Sequence, residues 1–362
     1  MDPNSIGFIG VGGIAQVHAQ VIQALIKTYP DLPPLRLVAA SSRTAEKRAQ
    51  FANRFGFSRS SSPEDLLAFA DINTLFILGP NSIHVPYLEA ALEAPSIKSI
   101  YIEKPLCSSI AETARLWSKL DQGKAEKRIM LGFQNLYALP IQQALSMWQA
   151  GEFGQPIHFQ VRYLHSGYLD PAYRLRRQTR LQPSPADGAS ADLGSHALSL
   201  LVAFLGAELA VKAAQASGSF PDVPPGSDLC LNALLIDRTS GAAGTLTASR
   251  VSAGTGDQLE FELWGEKGSL RYSLEEPTIL RTTLEGKGMQ TWDLLSSIGK
   301  IYPPAPEAFP KQHWIALLES HYRFFNPGKF PILLPDLKHG LQVQDLVNQI
   351  AILINPAIAD RV

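Results

Sequence analysis

The chain has 362 residues, too many for one ordinary hydrophobic core and enough for two domains. Lysine and arginine number 32 against 33 aspartates and glutamates, which excludes a global field that would draw the protein to nucleic acid or to an anionic membrane. With 45% hydrophobic and 18% charged residues and no low-complexity tract, the composition excludes extended disorder.

The elements begin at once. "MDPNSIGFIG" enters a strand pattern over Ser5–Ile9, without the basic segment and apolar core of a secretory leader. Then come Gly10-Val11-Gly12-Gly13-Ile14-Ala15 and a helical stretch with Ile14, Val17, Val21 and Leu25 on one face. In a strand, turn, helix order of this kind, Gly10 permits the turn and Gly12 lets backbone approach a pyrophosphate. Ala15 keeps the helix close to the strand, and the helix N-terminus offers unpaired N–H groups to phosphate. Dinucleotide binding is therefore expected. A second strand, "LRLVAASSR", ends in Ser41, Ser42 and Arg43, where an acid would otherwise accept the ribose hydroxyls. An arginine there can pair with a 2′-phosphate, which favours NADP over NAD; the plainer reading is a solvated arginine in a turn.

Helices over "KRAQFANRFGF", "SSPEDLLAFA" and "HVPYLEAALEA" alternate with strands "NTLFILGP" and "SIYIE". Alternation of this kind builds a doubly wound parallel sheet, whose ligands bind beyond the C-terminal strand ends. That rule puts Gly79, Pro80, Asn81 and the Glu103-Lys104-Pro105 turn on the cofactor side. With His84 near that edge, the expected cofactor-binding set is Gly10, Gly12, Gly13, Ile14, Ala15, Ser42, Arg43, Pro80, Asn81, His84, Glu103 and Lys104.

The pattern shifts after residue 131. We expect a Rossmann domain over 1–131 and an α+β substrate and oligomerisation domain over 132–362. In the latter, "LPIQQALSMWQAG" reads as a helix and "IHFQVRYLH" as a strand. An arginine-rich loop follows, then a helix from about Asp192 and the strands "LCLNALLID", "AAGTLTASR", "LEFELWG" and "GSLRYS". Close spacing and turn-rich joints argue for antiparallel pairing. "KQHWIALLESHYRFF" and "LKHGLQVQDLVNQIAILI" read as closing helices. The fold class is thus α/β plus α+β, a parallel doubly wound sheet followed by a mostly antiparallel open sheet.

Asp192 and His196 are four residues apart, so a helix there puts both on one face. An oxidoreductase acting on an alcohol needs a group to take the hydroxyl proton as hydride leaves carbon, and an imidazole suits the task. The same spacing also occurs in helix-surface pairs and satisfied core histidines.

The segments "GFIGVGGIAQVHAQ", "ILGPNSIHVPYLEAAL", "YIEKPLCSS", "GFQNLYALPIQQ", "ADLGSHALSLLVAFLG" and "LWGEKGSLRYS" resemble, in order and across nearly the whole chain, the Gfo/Idh/MocA family of glucose–fructose oxidoreductase and inositol dehydrogenase. The resemblance implies a Rossmann domain, then an α+β domain whose large sheet often builds homodimers or homotetramers. It implies NAD(P)-dependent hydride transfer with a secondary alcohol or ketone of a sugar, polyol or related cyclic compound. Lys104, Asp192 and His196 match the family's catalytic residues one by one. His196 is then the general acid/base, Asp192 orients substrate and tunes the histidine, and Lys104 stabilises the reacting oxygen.

Two departures bear on specificity: Leu136 and Tyr137 follow Asn135 where many relatives have an arginine, and Ser199 stands where an aspartate commonly follows the histidine. Asn135 and Tyr137, with Tyr168, Tyr173 and Arg174 of the loop "SGYLDPAYRLRRQTRLQPSPADG", are the substrate candidates. Other enzymatic outcomes of the same chemistry are glycosidic cleavage or epimerisation through a transient ketone with recycled cofactor. A nucleotide-sensing regulator without catalysis is the alternative from another class, and the intact Lys104, Asp192 and His196 argue against it. The two cysteines, Cys107 and Cys230, form neither a disulfide framework nor a metal spacing, so no metal is expected and a reducing, cytoplasmic setting fits. The longest apolar stretch, "HALSLLVAFLGAELAV", falls short of the ~20 residues of a membrane span.

Overall fold

The computed structural model describes residues 3–184, 186–218, 220–297, 301–307, 309, 311–330 and 334–361. Two compact units emerge: Met1–Cys107 with Ala114–Gln134 and Ile301–Gly340, and Ser108–Thr113 with Asn135–Lys300 and Leu341–Val362.

The first unit is built on strands β1 (Asn4–Ile9), β2 (Leu35–Ser41), β3 (Arg59–Ser61), β4 (Thr74–Ile77), β5 (Ser99–Ile102) and β6 (Arg128–Leu131), in the spatial order 3-2-1-4-5-6. Every pairing is parallel. Such a sheet is buried on both faces, and β4 is apolar along its length apart from Thr74. Crossovers are made by α1 (Gly13–Thr28), α2 (Ala45–Phe55), α3 (Pro63–Leu67), α4 (His84–Glu93) and α5 (Ile110–Asp121). Ser62 caps α3 by accepting the Asp65 N–H. The inward face of α1 differs from the expected one. Ala15, His18, Ala19, Val21, Ile22 and Leu25 are buried, whereas Ile14 is 40% exposed. A histidine can take the inward place because both its ring nitrogens find partners there.

Residues 301–340, which the sequence reading assigns to the second domain, pack in the first unit. The cause is aromatic. Helix α10, whose range Lys311–Phe324 follows in chain order after those of the second unit, brings His321, Phe324 and neighbouring Phe325 against Phe76 of β4 and Tyr101 of β5. Phe76 and Tyr101 themselves stack at 4.9 Å.

The second unit holds α6 (Leu139–Gln149), β7 (Pro156–Leu164), α7 (Pro171–Arg176), α8 (Ser195–Leu205), β8 (Leu209–Ser217), β9 (Cys230–Asp237), β10 (Ala243–Ser249), β11 (Gln258–Gly265), β12 (Gly268–Ser273), β13 (Ile279–Leu284), β14 (Gly288–Asp293) and α9 (Leu294–Ser297). The last helix, α11 (Leu337–Ile354), follows α10 in the chain. The eight strands run in the order 14-13-12-11-7-10-9-8 and pair antiparallel except for β7 with β10. One face is apolar, with Phe159, Val161, Leu235, Leu246, Phe261, Leu263 and Leu270 buried. Helix α8 packs there, placing Phe204 4.9 Å from Phe261. The strands named in advance fall where expected. Strands β8, β13 and β14 do not announce themselves, because small, polar and charged residues dilute their apolar alternation.

Candidate active site

In the first unit the glycine turn separates into two jobs. Gly10 has φ +107°, and a Cβ added to it would lie 2.6 Å from the Gly79 backbone nitrogen and 2.7 Å from the Leu78 carbonyl carbon. It serves the fold, letting the ends of β1 and β4 approach. Gly12 and Gly13 are exposed, and a Cβ on either would meet nothing within 4 Å. Gly12 is the N-cap of α1 and offers no side-chain cap, and the first turn carries no acid. Open space, bare N–H groups and the positive end of a helix dipole form a cradle that fits a pyrophosphate. Ala15 is buried as expected, while Ile14 faces outward.

At the end of β2, Ser41 is buried with its hydroxyl donated to the Phe8 carbonyl, and the Ser42 hydroxyl donates to the Thr44 carbonyl. Arg48 donates to the Ser42 carbonyl, and Arg43 and Lys47 are exposed. Pro80 is exposed and Asn81 half-buried in a short helical turn before α4. His84 is buried, with Nδ1 2.8 Å from the Pro105 carbonyl oxygen and Nε2 3.1 Å from that of Gly79, so its ring joins the turns that follow β4 and β5. Between them Lys104 is half-buried, and the Lys104–Pro105 peptide is cis.

Glu103 lies beneath. Its Oε1 is 2.9 Å from Nε2 of His18, and its Oε2 accepts the Lys104 N–H at 3.2 Å. Gly132 makes the room, since a Cβ there would meet that carboxylate at 2.7 Å. Burial alone would raise the Glu103 carboxyl. The hydrogen bond and charge of His18, then the charges of Lys104 and His84, outweigh it and hold the group below the usual carboxylate range.

In the second unit, Asp192 sits in a π-helical turn, Ser190–Gly194, that runs directly into α8, where His196 is the second residue. π-turns inside helices recur at functional sites. Two features build this one. Asp228, buried and raised above its ordinary range by that burial, accepts the Ser190 N–H at 2.9 Å. Gly188, at φ +86°, leaves the space that the Asp228 carboxylate fills. Ser195 then donates its hydroxyl to the Ala191 carbonyl at 2.6 Å.

The Asp192 carboxylate is held between two arginines. Nη2 of Arg250 lies 3.0 Å from Oδ2, and Nη1 of Arg180 3.5 Å from Oδ1. Arg250 is 1% exposed, donates Nη1 to the Arg180 carbonyl at 2.7 Å and stacks its guanidinium 4.6 Å from the Tyr168 ring. Burial opposes its charge, but Asp192, Tyr168 and Asp228 more than restore it. His196 is buried with the Tyr163 ring 5.9 Å away, and burial pushes that phenol well above its ordinary value.

The arginine-rich loop is built on itself. Arg174 is buried: it pairs with Asp222 at 2.8 Å, donates to the carbonyls of Tyr168 and Leu169, and stacks over Phe220. Tyr168 packs in a small core with Leu181, Val223 and Leu229. Both therefore serve the loop's architecture, and Tyr173 packs at its edge beside the exposed Arg176 and Arg177. Residue 185 of the loop lies outside the described residues. Asn135 and Tyr137 are buried, and among the described residues both amide ends of Asn135 lack a hydrogen-bond partner. Sequence reasoning missed Arg250, although the alternation Gly244, Leu246, Ala248 puts residue 250 on the buried face, where a charge demands a partner. It missed Arg180 and Asp228 as partners too, and these carry no local signal.

Among the described residues, no group of three or more histidine, cysteine, aspartate or glutamate residues is placed to hold a metal, and no helix is long and apolar enough to cross a membrane.

A six-stranded 3-2-1-4-5-6 sheet with an anion cradle opening its first crossover defines a dinucleotide-binding protein. Residues 4–133 match the profile of the oxidoreductase family with an NAD-binding Rossmann fold, and residues 141–271 that of the Gfo/Idh/MocA C-terminal domain. The chain belongs to the Gfo/Idh/MocA family of NAD-binding oxidoreductases. It is similar to a dTDP-3,4-didehydro-2,6-dideoxy-α-D-glucose 3-reductase of Streptomyces violaceoruber, 30% identical over 72% of this chain and 71% of the relative. It is 25% identical to a levoglucosan dehydrogenase of Pseudarthrobacter phenanthrenivorans over 75% of this chain and 74% of the relative. A solved levoglucosan dehydrogenase in complex with NADH and levoglucosan shares the fold at a TM-score of 0.83 and 22% identity, covering 98% of each chain.

Proposed function

We propose that the protein is an NAD(P)-dependent dehydrogenase or reductase that interconverts a secondary alcohol and a ketone on a sugar, polyol or related cyclic substrate. The observation that carries the reading is the cradle at Gly12 and Gly13, open and uncapped at the N-terminus of α1. The names of the relatives, a dTDP-sugar reductase and a levoglucosan dehydrogenase, support the substrate class.

Bound nicotinamide supplies the site that takes or gives hydride. His196 takes the hydroxyl proton during oxidation and returns it during reduction. Lys104 donates a hydrogen bond to the reacting oxygen and stabilises its developing negative charge. Asp192, fixed by Arg250 and Arg180, presents a carboxylate of set orientation to substrate hydroxyls. Asn135 adds a buried amide whose two ends lack a hydrogen-bond partner among the described residues. Ser42 and the exposed Arg43, with no acid at the end of β2, support a preference for the 2′-phosphate of NADP. Gly10, Pro80, Asn81 and His84 shape the rest of the cofactor edge.

Leu234 and Met289, 45% and 74% exposed, lie on the outward parity of the large sheet, supporting assembly as a homodimer or homotetramer through that face. With only two cysteines, Cys107 and Cys230, the sequence fits a reducing, cytoplasmic setting.

The test is a fluorescence titration with NADH and NADPH, followed by a turnover screen over sugars, polyols and their ketones. Binding of a nicotinamide with turnover of one panel member supports the reading. Protein that binds neither cofactor and turns over nothing contradicts it.

A further inference from the structure

Three buried groups of the first unit form one hydrogen-bonded line. Glu103 Oε1 is 2.9 Å from His18 Nε2, His18 Nδ1 is 2.8 Å from His321 Nε2, and His321 Nδ1 is 2.9 Å from the Leu317 carbonyl oxygen. Both imidazoles are fully buried, their centroids 4.9 Å apart across the hydrogen bond, and Tyr101 packs 5.0 Å from each. The far end of the line is the other oxygen of Glu103, which accepts the Lys104 N–H.

The hydrogens can be counted. A carbonyl only accepts, so His321 Nδ1 carries a hydrogen, and each of the other two contacts needs one as well. Two neutral imidazoles and a carboxylate supply two hydrogens for these three bonds. The line is complete only with one further proton, and with it the trio is electrically neutral. Without it, two lone pairs face each other and a net negative charge is buried away from water.

We propose that His18 and His321 are positioning residues for Lys104: through Glu103 they form a relay that stores one proton and thereby fixes the turn presenting the lysine. This rests on the reading of Lys104 as the group that stabilises the reacting oxygen. The charged and titratable groups facing the relay are Lys104 and His84 on the Glu103 side and Tyr101 over the two rings. Phe76, Phe324 and Phe325 close the rest with hydrocarbon. Storing the proton keeps Glu103 paired and Lys104 in place; losing it loosens the turn without touching the pyrophosphate cradle at Gly12.

The relay is tested on the full chain in two ways. Side-chain ¹⁵N spectra of histidine-labelled protein are expected to show His18 with hydrogen on both nitrogens and His321 with hydrogen on Nδ1 at neutral pH. His321→Leu removes the acceptor for His18 Nδ1–H, whereas His321→Gln can restore it with its amide oxygen. In His321→Leu the alkaline limb of kcat is expected to move down by at least about one pH unit, roughly a tenfold loss at a fixed pH on that limb. NADH affinity should stay within about twofold, since the cradle is untouched, and His321→Gln should return the limb toward wild type. A His18 carrying a single hydrogen at neutral pH overturns the proposal. So does an equal drop in both variants with an unmoved limb, which is the mark of packing alone. Lys104→Ala in the same assay separates the two claims: if it retains turnover, the role of Lys104 falls, while the spectra still decide the relay.

Discussion

Gly10 and Gly12 stand two residues apart and should fail in opposite ways. Alanine at Gly10 is forced to φ +107°, which costs about 1–3 kcal/mol in backbone strain. Its Cβ would also lie 2.6 Å from the Gly79 nitrogen, and backbone cannot step aside as a flexible side chain does. Overpacking of that kind adds about 1–3 kcal/mol, so a total near 4 kcal/mol is expected from a stability of about 5–15. Alanine at Gly12 meets φ −78° and open space, and stability should change by less than about 1 kcal/mol. That same Cβ occupies the cradle, so NADH and NADPH affinity should fall at least about tenfold, roughly 1.4 kcal/mol. Urea unfolding and fluorescence titration of both variants read the two effects separately. A Gly12→Ala protein that binds nicotinamide like wild type, or a Gly10→Ala protein as stable as wild type, would refute the division of labour.

Three further outcomes are expected. Arg250→Met leaves the Asp192 carboxylate with Arg180 alone and removes the bond to the Arg180 carbonyl, so urea unfolding should show a loss of about 3 kcal/mol and kcat should fall at least about tenfold. Arg43→Ala should weaken NADPH binding about tenfold in the titration and leave NADH unchanged. Burial lowers His339 from 6.5 to about 3. A group with a depressed folded pKa binds more protons when unfolded, so its stabilisation holds above the unfolded value and is lost as pH falls below it. His339→Phe should therefore remove about 2 kcal/mol from the difference in unfolding free energy between pH 7 and pH 5.

Much of the fold was legible because its signals are local. The glycine turn before an amphipathic stretch, and buried strands alternating with helices, give a parallel sheet without knowledge of long-range contacts. The edge strands β8 and β14, and β13 beside β14, were not, since polar and small residues there weaken the apolar period of two. Membership of α10 in the first unit was not legible either, because it depends on His321 and Phe324 meeting Phe76 and Tyr101 far away in the chain. The candidate site divides in the same way. Asp192 and His196 stand out by a spacing of four and by the resemblance, but the arginines that hold Asp192 come from residues 180 and 250. Arg174 and Tyr168, conspicuous in a basic aromatic loop, turn out to hold that loop together. His18 carries no local signal of its own, because its partners come from positions 103 and 321.

The measurement that bears most directly on the central claim is steady-state turnover of His196→Asn beside wild type, on the best substrate from the sugar and polyol panel, with NADH affinity measured on the same samples. A general acid/base contributes about 10²–10⁴-fold, so kcat should drop at least about a hundredfold while the dissociation constant for NADH stays within about twofold. Turnover within about threefold of wild type would contradict the assignment of proton transfer to His196.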